Sequence, residues 1–152
     1  MSPSMSAAIA VLIAALVLAY LIGRLLTRRS GVVRAVRAGD ADGAGAGADA
    51  DAERNRDELG LSRTGPTILH FTAEWCGPCA GVRRVVDQVC AELPAVAHVE
   101  IDMDANPEAA KRLSVLSLPT TFIFDAHGHQ RYRTSGVPKA ADLRTAVEPL
   151  LA

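Results

Sequence analysis

Residues 68–79 read Ile68-Leu69-His70-Phe71-Thr72-Ala73-Glu74-Trp75-Cys76-Gly77-Pro78-Cys79, and their order decides the fold. A short apolar run, with Thr67 at its head, predicts a buried strand over 67–72. The chain then turns at Trp75 and Gly77-Pro78. Beyond the turn, Val82, Val85, Val86, Val89, Cys90 and Leu93 form one apolar stripe, which predicts a helix over 80–93. That order puts Cys76 at a helix N-terminus, where unpaired N–H groups and the positive end of the helix dipole stabilise an anion. A thiolate is such an anion, so Cys76 is expected to ionise readily and to act as a nucleophile. Cys79 follows one helical turn on, within reach to close a disulfide once Cys76 has attacked a substrate. A CxxC can also be half of a zinc site, but no second CxxC or His-x-His pair stands at a usable spacing. Redox chemistry is therefore the favoured reading, with no metal expected.

Working outward, the pattern continues as a strand over 95–102, a helix over 107–113 opened by Pro107, and strands over 120–125 and 130–133 joined across 126–129. A last helix is expected from Pro138 to about residue 150. The order β-α-β-α-β-β-α fits a mixed sheet with helices on both faces, which several α/β folds share. Upstream, residues 32–36 offer a short strand and residues 53–61 a short helix ended by Gly60. Residues 39–52, GDADGAGAGADADA, lack large apolar side chains and read as a flexible tether.

The start of the chain is different. Residues 7–22 carry no charge, and Leu25 and Leu26 extend the apolar surface past Gly23 and Arg24. This approaches the roughly 20 residues that cross a bilayer, with Arg24 snorkelling. The first six residues lack the positive region of a cleaved signal, which favours a retained single-pass anchor in the cell membrane. Arg24, Arg28, Arg29, Arg34 and Arg37 follow the apolar run and none precedes it, so positive-inside bias places the C-terminal part in the cytoplasm. The expected organisation is a short tail at 1–6, a transmembrane helix at 7–26, a basic collar and flexible linker at 27–60, and a globular domain at 61–152. A formal net charge of −1 over 152 residues argues against nucleic acid as partner.

The run Ala73-Glu74-Trp75-Cys76-Gly77-Pro78-Cys79 resembles the active-site motif of the thioredoxins. Leu118-Pro119-Thr120 is similar to the segment that bears the family's cis-proline, and Gly136 stands where thioredoxins place a glycine. The resemblance covers residues 67–152 and implies a thioredoxin-like α/β fold. It implies a thiol–disulfide oxidoreductase in which Cys76 attacks and Cys79 resolves, with the redox-active disulfide as the only cofactor. The Gly77-Pro78 pair resembles the reducing members. Trp75, Gly77, Pro78, Leu118 and Pro119 would form the substrate surface, a cis Pro119 exposing the Leu118 backbone to a substrate strand. Partners implied are disulfide-containing proteins and thioredoxin reductase or a membrane electron donor. One alternative is an extracytoplasmic oxidoreductase handling exported disulfides or cytochrome c maturation. Another, from a different class, is a non-catalytic substrate-binding module.

Two positions depart from the family. The buried aspartate six residues before the first cysteine is replaced by His70, and the lysine near it by His98. His70 is a candidate catalytic proton relay to Cys79, or equally a core histidine without a catalytic part. Cys90, on the helix stripe, is expected to be an inert packed thiol.

Overall fold

The computed structural model describes residues 3–27, 31–36 and 46–152, and the chain divides into two units, Met1–Ser30 and Gly31–Ala152. In the first unit a single helix, α1 (Pro3–Thr27), stands where the transmembrane segment was expected. Its described side chains, among them Ile9, Leu12, Leu16, Tyr20 and Leu25, are exposed. Arg24 Nη1 lies 3.4 Å from the Tyr20 hydroxyl one turn earlier. Among the described residues no helix is long and apolar enough to cross a membrane. The uncharged stretch ends at Gly23, and Arg24 stands in the last turn of the helix.

The second unit runs β1 (Arg34–Ala35), α2 (Ala46–Leu59), β2 (Thr67–Thr72), α3 (Cys79–Glu92), β3 (Ala97–Asp102), α4 (Pro107–Arg112), β4 (Thr120–Phe124), β5 (Gln130–Ser135) and α5 (Ala140–Val147), closed by a 3-10 turn at Glu148–Leu150. The sheet order is β1-β5-β4-β2-β3, with β2 and β3 parallel and the other pairs antiparallel. The expected mixed sheet with helices on both faces is borne out, and so is the short first strand, which pairs Arg34 with Arg133 and Ala35 with Tyr132.

β2 is central, and its apolar run follows from burial on both sides. Ile68 packs with Val82, Val86 and Val89 of α3 and Leu143 and Val147 of α5. Leu69 and Phe71 point to the opposite face, with Leu59, Ala110, Phe122 and Phe124. The alternation of strand side chains thus builds two cores from one strand. α3 stops where Pro94 approaches, because the residue before a proline is pushed out of the helical region. The last helix ends earlier than expected for a related reason: Pro149 has no N–H to donate back, so only a 3-10 turn follows Val147.

The largest difference from expectation lies upstream. Residues 39–45 of the predicted tether fall outside the described residues, as do the collar positions Arg28, Arg29 and Arg37. From Ala46, however, the chain is helical rather than flexible, and α2 replaces the shorter helix expected over 53–61. It ends at Gly60, whose φ is +66°. Ala52 and Leu59 are buried, and the helix lies against the β4–β5 turn, with Arg56 Nη1 3.5 Å from the Ala126 carbonyl.

Gly128 makes that docking possible. Its φ is +88°, and a Cβ there would sit 2.3 Å from the Ala52 carbonyl oxygen and 2.8 Å from Arg56 Cγ. Gly128→Ala is expected to destabilise the domain by about 2 kcal/mol, from backbone strain and displacement of α2. Urea unfolding monitored by circular dichroism checks this; an unchanged midpoint would mean that α2 contributes nothing there.

Candidate active site

β2 ends at Thr72, and the chain folds back so that the Cys76 N–H donates to the Ala73 carbonyl at 3.0 Å and the Cys79 N–H to the Cys76 carbonyl at 3.2 Å. Pro78 occupies the cap position of α3 with no side-chain cap, and the Gly81 N–H returns to its carbonyl at 2.9 Å. Cys76 therefore stands just ahead of the first helical turn, as expected. Cys76 and Cys79 are joined in a disulfide with their Cα atoms 5.5 Å apart. Cys79 is 2 % exposed and Cys76 8 %. The small difference favours Cys76 as the sulfur that meets a substrate. Cys79 Sγ lies 3.9 Å from the Phe71 carbonyl oxygen, deep against β2.

Leu118 packs on the small cluster formed by Ala73, Cys76 and Cys79. The two motif segments, far apart in sequence, thus meet at the disulfide, and the Leu118–Pro119 peptide bond is cis. Gly136, at φ +86°, donates its N–H to the Pro119 carbonyl at 2.9 Å, which gives that glycine its reason. Gly77 and Pro78 are exposed, and a Cβ on Gly77 would meet open space. Trp75 is not a core aromatic: it is 66 % exposed, and its Nε1–H donates to Asp104 Oδ2 at 3.0 Å. Asp104 is in turn placed by the Asp102 carboxylate, which accepts its N–H at 2.8 Å. Sequence reasoning missed Asp104, which lies 29 residues from Trp75.

His70 and His98 do come together, with His98 Nε2 3.1 Å from His70 Nδ1 and the rings nearly parallel. The register of β2 with β3 sets Glu100 directly across from His70. Glu100 Oε2 lies 3.5 Å from His70 Nε2, and Arg83 of α3 grips both oxygens of that carboxylate. Asp87 of α3 holds His98 Nδ1 at 2.9 Å. His70 is fully buried, and that burial lowers its pKa from 6.5 to about 4, outweighing the pull of Glu100 in the other direction. The Arg83 guanidinium keeps the Glu100 carboxyl below its usual range. Arg83, Asp87 and Glu100 were not singled out in the sequence. Their only signal was the helix and strand periodicity that puts them on facing surfaces. Cys90 is half-buried, and burial raises its thiol pKa, in keeping with a packing role.

Comparison with known proteins agrees with this geometry. The sequence model of the thioredoxin family matches residues 52–149. Thioredoxin of Mycolicibacterium smegmatis is 36 % identical over 97 residues, covering 62 % of this chain and 85 % of that protein. Thioredoxin of Chlamydia trachomatis is 41 % identical over 61 residues, covering 40 % of this chain and 60 % of the relative. Among solved structures, chloroplastic thioredoxin z superposes with a TM-score of 0.54 at 36 % identity, over 64 % of this chain and 88 % of the other. With its CxxC disulfide at the head of α3 and Leu118, which precedes cis Pro119, packed against it, the chain belongs to the thioredoxin family of thiol–disulfide oxidoreductases.

Proposed function

We propose that this protein is a membrane-tethered protein-disulfide reductase whose catalytic domain faces the cytoplasm. The observation that carries the redox half is the Cys76–Cys79 disulfide with Leu118, the residue before cis Pro119, packed on it. In the reduced form, the Cys76 thiolate attacks one sulfur of a substrate disulfide, and the other leaves as a thiolate that takes up a proton. Cys79 then loses its proton and attacks Cys76 Sγ, releasing the second substrate thiol and closing the Cys76–Cys79 disulfide. Two electrons pass from the dithiol to the substrate. A substrate strand is taken to lie along the Leu118 backbone, with Trp75, Gly77 and Pro78 forming the rest of its contact surface. Both nitrogens of His70 face β3, so this reading gives it no direct step in the exchange.

Thioredoxin reductase is the proposed electron donor. A relative in Mycobacterium leprae bears the name bifunctional thioredoxin reductase/thioredoxin, and this chain matches 19 % of its length at 35 % identity. Turnover of insulin disulfides with NADPH and thioredoxin reductase tests this half; no turnover with a competent reductase would overturn it.

The membrane half rests on the charge-free run at 7–22, the exposed apolar side chains of α1 and the arginines that follow them. Carbonate extraction and protease treatment of spheroplasts test it. The chain is expected to remain with the membrane fraction and its domain to be protected. Digestion of the domain in intact spheroplasts would favour the extracytoplasmic reading instead.

A further inference from the structure

The geometry points to a divalent-metal site on the α3 side of the sheet, formed by His70, His98 and Glu100 and suited to Zn²⁺. It stands independently of the redox reading and of the dithiol. His98 and Glu100 are two apart on β3, the edge strand, so both side chains project from the same face. The register places Glu100 opposite His70 and His98 opposite Ile68, which sets His98 diagonal to His70. One donor atom from each of the three lies within 4.8 Å of the others. His70 Nε2 and Glu100 Oε2, 3.5 Å apart, match the roughly 3.4 Å between neighbouring ligand atoms of a tetrahedral zinc with bonds of about 2.1 Å. Two imidazoles and one carboxylate are a donor set that borderline-soft dications accept, with water in the remaining positions.

Hydrogen bonding supplies a second, independent observation. In the neutral tautomer that donates from Nδ1 to the Asp87 carboxylate, His98 keeps a lone pair on Nε2. This carboxylate–histidine contact is the arrangement that orients metal-ligating imidazoles. In that tautomer His70 donates from Nδ1 to His98 Nε2, a bond that an ion on His98 Nε2 would replace, and its own Nε2 is left without a proton. That nitrogen is buried, has no hydrogen-bond partner, and faces an oxygen of the Glu100 carboxylate. Two acceptors thus confront each other with no hydrogen between them, and a cation is what such a pair lacks. Arg83 partly fills the need, donating from Nε to that same Glu100 Oε2 at 2.7 Å. Its side chain is half exposed and free to swing toward solvent when a metal takes a carboxylate oxygen. His98 and Glu100 are themselves partly exposed, which gives an entry path along the sheet edge.

The test uses the full-length chain with the Cys76–Cys79 disulfide closed and Cys90→Ser, so that no thiolate competes. Zn²⁺ is titrated calorimetrically, and Co²⁺ is followed by its visible absorption. The expected result is one Zn²⁺ per chain, with affinity reduced at least tenfold in His98→Gln and in Glu100→Gln. Asp87→Asn, an exposed helix position, should keep the fold and weaken binding by about tenfold. Absence of binding, or equal affinity in His98→Gln and Glu100→Gln, overturns the proposal; the second result would assign the ion to another surface.

Discussion

Cys76→Ser is expected to lower the rate of insulin disulfide reduction by roughly a thousand-fold or more, because a serine hydroxyl has no anion to offer at neutral pH. Neither remaining thiol can replace it. Cys79 is 2 % exposed and pressed against the Phe71 backbone, and burial raises the pKa of Cys90. Cys79→Ser should also stop turnover, but for a different reason: the first attack still occurs, and the mixed disulfide has no internal thiol to resolve it. The two variants therefore divide the reaction into its two displacements. An assay of single-turnover thiol release separates them, since only Cys79→Ser should release one substrate thiol. If Cys76→Ser retained turnover, the assignment of the nucleophile would be wrong.

The second large effect concerns acid. His70 has a pKa of about 4 in the folded chain, below the 6.5 of an unperturbed histidine. Between those values the unfolded chain binds a proton that the folded chain does not, so stability falls as pH falls. The contribution is fully present above pH 6.5 and lost progressively down to about pH 4, below which this group adds no further slope. At about 1.4 kcal/mol per unit, the full loss is about 3 kcal/mol. Glu92 and Glu100, whose pKa values are lowered by Arg144 and Arg83, add their own losses only below the usual carboxylate range. The diagnostic window is therefore pH 6.5 to 5, where carboxylates stay ionised and His70 does not yet protonate in the native state. Urea unfolding of chelator-treated protein should show a falling free energy there, and His70→Gln should flatten it. A slope identical in the variant would place the proton uptake elsewhere.

What could be read in the sequence follows the physics of periodicity. β2 was bounded to the residue because a strand buried on both faces has little choice but an apolar run, and α3 was placed within one residue at each end because its stripe recurs at helical spacing. The cysteine pair and cis Pro119 were legible because each sits in a compact motif. α2 was not. An Ala/Gly/Asp stretch reads as too polar to offset chain entropy, yet alanine favours helix, and Ala52 and Leu59 find a buried place that only the tertiary fold provides. Trp75 was expected on the substrate surface, but nothing local announced Asp104, just past the end of β3, as its partner. The resemblance put His98 near His70, but the rest of its surroundings were hidden for a similar reason. Strand register brings Glu100 to it, and α3 brings Asp87 and Arg83. Neither arrangement leaves a mark at short sequence spacing.

The most direct test of the dithiol assignment is to incubate Cys79→Ser with a protein disulfide and map the covalent adduct by mass spectrometry after non-reducing digestion. The account predicts a mixed disulfide between the substrate and the peptide containing Cys76, released by dithiothreitol. An adduct on Cys90, or none at all with folded protein, would contradict it.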